Sequence, residues 1–120
     1  MPASAGQPSV MLQMDFATAP PPYPPPGLER DSLLRALAHS IAEETPGLVW
    51  KIWTEDAAAG RAGGLYAFTT RAEALAYQAM HMARVTARGA TDIRAVLWDI
   101  NAELSAITRG ISPTSAQGAR

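Results

Sequence analysis

The sequence predicts an α+β domain in which two helices cover one face of a four-stranded antiparallel sheet. Three observations predict it. Val10 to Ala17, VMLQMDFA, alternates apolar and polar residues as a half-buried strand does. Two later segments carry apolar residues at helical spacing. Strand-like runs lie between and after them, so the order is strand, helix, strand, strand, helix, strand.

Residues 1–8 are small and polar and are expected to be disordered. In the first strand Val10, Leu12, Met14 and Phe16 share one face, which suits a helix layer; Met11, Gln13 and Asp15 share the other. Residues 18–27 are proline-rich and predict polyproline II, either a stiff connector with Tyr23 turned toward the mouth of a pocket or, less in keeping with how common such spacers are, a docking site for a proline-recognising partner. Asp31 or Ser32 is placed to cap the first helix, whose stripe is Leu34, Leu37, Ala38 and Ile41; His39 falls off it. Pro46-Gly47 ends that helix.

Leu48 to Glu55 is the second strand, AAAGRAGG a loose glycine-rich turn, and Leu65 to Thr69 the third strand. TRAE, Thr70 to Glu73, matches a capping box and opens a second helix to about Arg88, with Leu75, Ala79, Met82 and Thr86 as its stripe. Tyr77, His81, Arg84 and Val85 lie beside or behind that stripe. Asp92 to Ile100 is the fourth strand. Asn101 caps a short helix, AELSAIT, and residues 109–120 are read as a flexible tail, leaving one domain over 9–108.

This order is the ferredoxin-like βαββαβ arrangement. It leaves one sheet face without helices, yet the second and fourth strands are bulky and apolar on both faces. An uncovered apolar face of that size is unusual in a monomer, and a second copy is the simplest cover. The expectation is a homodimer, two sheets closing a barrel around a cavity. With Met11, Gln13 and Asp15 facing that cavity, the companion sets are Val49, Lys51, Trp53 and Glu55; Tyr66 and Phe68; and Arg94, Val96 and Trp98. Such a wall suits a small aromatic or apolar molecule. The rings would stack on it, Lys51 or Arg94 would hold an anion, and Asp15 or Glu55 would act as a base. His81 is a further candidate base.

Composition narrows the function classes. A formal net charge of −1 with scattered cations gives no basic footprint for nucleic acid. The absence of cysteine removes disulfides, thiol nucleophiles and Cys-ligated metals, and the two histidines form no metal motif. No apolar run approaches a membrane span, and MPASAGQPS does not read as a signal peptide, so a cytoplasmic protein is expected.

GLVWKIWTED, AGGLYAFTT, ALAYQAMHMARVTARG and VLWDINAELSAI together resemble the YdhR-like monooxygenase family of the dimeric α+β barrel superfamily, over about residues 9–108. The matching positions are Trp50, Lys51, Trp53, Thr54, Glu55, Gly63, Gly64, Tyr66, Phe68, Tyr77, His81, Arg84, Asp99 and Asn101, with Gly63 and Gly64 read as turn residues. The resemblance implies a homodimer, no metal and no flavin, and oxidation of a phenol- or quinol-like ring by O2. It adds Trp50 and Arg84 to the substrate-binding set of Trp53, Tyr66, Phe68, Trp98 and Asp15, with Lys51, His81 and Glu55 as the catalytic candidates. The rival reading is a non-catalytic dimer that binds a small molecule.

Overall fold

The computed structural model describes residues 6–18 and 27–109. The expectations for the proline-rich segment with Tyr23, for residues 1–5 and for 110–120 lie outside the described residues. The elements are β1 (Val10–Ala17), α1 (Leu28–Glu44), β2 (Leu48–Asp56), β3 (Arg61–Phe68), α2 (Arg71–Ala87), β4 (Thr91–Asp99) and α3 (Ala102–Ile107). The four strands form one sheet ordered β2-β3-β1-β4, with every neighbouring pair antiparallel. This is the ferredoxin-like α+β fold. Among the described residues no helix is long and apolar enough to cross a membrane.

The core lies between the sheet and α2. Val10, Leu12 and Met14 supply the β1 side, as their alternation predicts, and Ala74 and Tyr77 press on them from α2. The chain joins the fold at Pro8, which is fully buried.

Strand register overturns one face assignment. Tyr66 pairs with Leu12 and Phe68 with Val10. Paired residues share a face, so Tyr66 and Phe68 point into the helix-side core and not into the helix-free face. A residue inserted into β2 changes that strand as well. Leu48 pairs with Phe68 and Trp50 with Ala67, which leaves Val49 as a bulge. Beyond it Lys51, Trp53 and Glu55 pair with Tyr66, Gly64 and Ala62, and so share the helix side; Trp50, Ile52 and Thr54 take the free side. A bulge explains how one strand carries bulky residues on both faces. β4 has its own irregularity where Asp15 pairs with Arg94 and Ala17 with Thr91, and Asp92 there adopts φ 50°. Arg94, Val96 and Trp98 lie on the free face as expected.

Three local expectations also change. α1 starts at Leu28 with Gly27 as N-cap and no side-chain cap, so Asp31 sits inside its first turn, where its charge favours the helix dipole. The hairpin loop is only Ala57–Gly60, closed by Gly60 N–H donating to the Ala57 carbonyl; Arg61 to Gly64 already belong to β3. Gly63 and Gly64 are therefore strand residues. In α2 the buried stripe is Ala74, Tyr77, His81 and Val85, while Leu75 is exposed. The Thr70 cap does form: its hydroxyl accepts from Glu73 N–H at 3.2 Å, and the Glu73 carboxylate takes the Thr69 and Thr70 hydroxyls at 2.6 and 3.0 Å.

Candidate functional site

A cavity of about 150 Å³ opens between the helix face of the sheet and the two long helices. Phe16, Lys51, Trp53, Glu55 and Tyr66 form its sheet wall; Arg30, Leu34 and Leu37 come from α1; His81, Val85 and Arg88 come from α2. A space of this size holds about one benzene-sized ring.

Lys51 is the chemical centre. Its Nζ stands 3.4 Å from the Trp53 ring centroid and 4.8 Å from that of Tyr66. Burial, helped by the Arg84 charge, lowers its pKa from 10.5 to about 7. The amine is therefore a mixture of charged and neutral forms at neutral pH. Among the described residues no hydrogen bond or ion pair engages Nζ. Gly64 makes the space for it: a Cβ there would lie 2.9 Å from Lys51 Cε, 3.1 Å from Tyr66 Cζ and 3.2 Å from the Ile52 carbonyl. Gly64→Ala is expected to push the amine off the Trp53 ring and to destabilise the fold by about 1–2 kcal/mol. Urea unfolding checks the cost, and a pH titration of Lys51 checks the displacement.

α2 brings three polar groups to the back of the cavity. Arg84 Nε and Nη2 approach His81 Nδ1 at 3.1 and 2.8 Å, and Nη2 donates to the Tyr77 hydroxyl at 3.2 Å. A guanidinium only donates, so His81 Nδ1 must accept and the ring proton sits on Nε2. His81 is 5 % exposed. Burial, with Arg84, Lys51 and Arg88 as neighbouring cations, lowers its pKa to about 3. The ring is thus neutral, with its basic nitrogen occupied, and what it offers is an Nε2–H donor. Tyr77 stacks on it with centroids 5.1 Å apart, and Tyr66 meets it edge-on at 6.1 Å. Burial raises the pKa of both hydroxyls, that of Tyr66 further with Tyr77 adjacent, so both stay protonated.

The sequence-derived site residues thus divide into groups. Lys51, Trp53, Glu55, Tyr66 and His81 line one cavity, on the helix side of the sheet and not between two sheets. Arg84 holds His81. Phe68 is fully buried in the core. Trp50, Trp98 and Asp15 are on the opposite face. There Asp15 accepts from Arg61 and from Arg94, the latter at 2.9 and 2.7 Å, and Trp98 Nε1 donates to Gln13 at 3.2 Å. Burial opposes ionisation of Asp15, but the two arginines outweigh it and lower its pKa. Among the described residues no group of three His, Asp or Glu side chains could hold a metal.

Sequence reasoning missed Phe16, Arg30, Leu34, Leu37, Val85 and Arg88 as cavity residues. Val85 and Arg88 follow His81 at i+4 and i+7, a spacing that points to the same helix face. One plain signal went unused: Lys51 is the only lysine in the chain.

The family model described as "Putative mono-oxygenase ydhR" matches residues 11–111. The chain belongs to this family. Its match runs from β1 through α3 and so contains every residue of the described cavity. Among curated proteins, none matches this YdhR-family chain in sequence.

Proposed function

We propose that this YdhR-family chain is a cytoplasmic monooxygenase that oxidises a phenol- or quinol-like ring with O2, without a metal or flavin. One observation carries the reading: the chain's single amine-bearing side chain, poised near neutral pKa, faces two aromatic rings in a cavity sized for one more.

Triplet O2 reacts slowly with closed-shell molecules, and a phenolate gives up an electron far more readily than a phenol. Neutral Lys51 takes the phenolic proton. The ammonium so formed then pairs with the phenolate, so one group serves as base and as counter-ion. Trp53 and Tyr66 hold the ring, His81 Nε2–H offers a donor to developing oxygen charge, and Arg30 and Arg88 favour an anion. Glu55, exposed at the rim, is placed to pass the proton to solvent. The sum is phenol plus O2 giving quinone plus water.

The free sheet face supports a homodimer. Trp98 is 51 % exposed, Ile52 53 % and Val96 40 %. Covering them removes apolar surface from water. Sedimentation of the chain is expected to give twice the 12.7 kDa subunit mass, and Trp98→Glu to give a monomer; a monomeric wild type refutes the dimer.

The activity is tested with an oxygen electrode and a panel of mono- and polycyclic phenols and quinols. Chain-dependent O2 uptake with matching quinone absorbance is the expected result. Rings that bind without any uptake across the panel would leave a small-molecule carrier instead.

A further inference from the structure

We propose that Lys51 is also a carbonyl-capturing amine, which condenses with a one-ring aromatic aldehyde entering the helix-side cavity to form a Schiff base. This goes beyond the oxygenase reading and does not depend on it.

Three features of the molecule carry the inference. First, every other side-chain cation is an arginine, which forms no imine; the primary amine is confined to the cavity wall. Second, Lys51 Nζ has no hydrogen-bond or ion-pair partner among the described residues, so no carboxylate holds it as an ammonium. Its near neighbours are the faces of Trp53 and Tyr66, which leave the nitrogen lone pair available and give the aldehyde ring something to stack on. Third, the cavity volume matches one ring. A lysine desolvated beside a second cation is a recognised way to activate an amine nucleophile, and Lys51 meets both conditions, buried and under the Arg84 charge.

The reaction balances without a further reagent. The neutral amine lone pair attacks the carbonyl carbon, a C–N bond forms, and the oxygen takes a proton to give a carbinolamine. Protonation of that hydroxyl releases water and leaves an iminium, whose proton is lost to give the neutral imine. Overall, amine plus aldehyde gives imine plus water. The Trp53 face stabilises the cationic iminium stage as a cation–π partner, and the apolar wall of Phe16, Leu34 and Leu37 limits the water that would hydrolyse the product.

The lowered pKa multiplies the free-amine fraction at neutral pH about a thousandfold over an exposed lysine. Lower basicity takes back part of that, as for thiols, leaving a rate advantage of roughly tenfold or more.

The test treats the folded chain with benzaldehyde and sodium cyanoborohydride at neutral pH and compares it with Nα-acetyl-lysine amide. Intact mass and peptide mapping should place one benzyl group on Lys51, at a rate roughly tenfold or more above the amide. The same chain in urea should fall to the amide's rate. Lys51→Arg should leave label only on the N-terminal α-amine. Lys51 labelling at the amide's rate in the folded chain, or label confined to the α-amine, overturns the proposal. Wild-type mapping decides this even if the variant fails to fold.

Discussion

Lys51→Met will lower turnover by about two orders of magnitude or more, the usual loss when a positioned base is removed, and will stabilise the fold below neutral pH. The two effects have one origin. Folding lowers the Lys51 pKa from 10.5 to about 7, because the charged amine loses water and sits near Arg84. Between those values the unfolded chain binds the proton and the folded chain does not, so stability rises as pH climbs from 7 to 10.5. Below pH 7 the folded chain carries a half-buried ammonium and the full penalty applies. At neutral pH and below, the methionine variant has no such penalty, with a side chain of similar length for the same aromatic slot. The gain is on the order of 2–4 kcal/mol, less than the full shift implies because the nitrogen can relax toward the cavity mouth. Urea midpoints at pH 6 and pH 10 check it. The variant's advantage should be present at the first and largely gone at the second. Equal stabilities at both, or unchanged O2 uptake, would place Lys51 outside the chemistry and outside the strained part of the site.

The fold was readable because β1 keeps Val10, Leu12, Met14 and Phe16 on one face, with Gln13 and Asp15 on the other, and because capping and breaking residues punctuate the rest. Thr70 and Asn101 accept from Glu73 and Leu104 N–H, the bonds their positions suggest. The faces were less readable. A bulge at Val49 carries no local signature, yet it turns Lys51, Trp53 and Glu55 toward the helices. Tyr66 and Phe68 are as apolar as Leu65 and Ala67, so alternation alone gave no reason to prefer either pair for the core; pairing with Leu12 and Val10 decides it. In α2 the polar His81 and Tyr77 hid the true buried stripe. Histidine can be buried there because Arg84 satisfies its ring nitrogen from one turn away. The polar and aromatic residues of the cavity, Lys51, Trp53, Glu55, Tyr66 and His81, were named from the sequence, but its α1 and lower α2 walls were not, and register turns the strand residues among them toward the helices rather than toward the free face.

Acid sensitivity will expose that same histidine. The His81 pKa falls from 6.5 to about 3 on folding, chiefly through burial and then through Arg84, Lys51 and Arg88. Among the described residues the charged groups set against the ring, Arg84, Lys51 and Arg88, are cationic, and the tyrosines beside it, Tyr66 and Tyr77, stay neutral across the acid range. The unfolded chain therefore takes up a proton near pH 6.5 that the folded chain refuses until about pH 3, and stability falls as pH drops through that window. The slope for one such proton approaches about 1.4 kcal/mol per pH unit. Asp15 and Glu73 also have lowered pKa values, with Arg61 and Arg94 outweighing burial for the first and the Thr69 and Thr70 hydroxyls acting on the second. Their losses begin only near the ordinary carboxylate range, so the interval from pH 6.5 to about 5 belongs to His81. His81→Gln removes the titration and keeps a carbonyl that can accept from Arg84. Its stability should stay nearly flat over that interval while the wild type declines. Parallel declines in urea midpoint for the two chains would mean that the imidazole is protonated within the fold, and with it the neutral Nε2–H donor assigned to the oxygen chemistry would be lost.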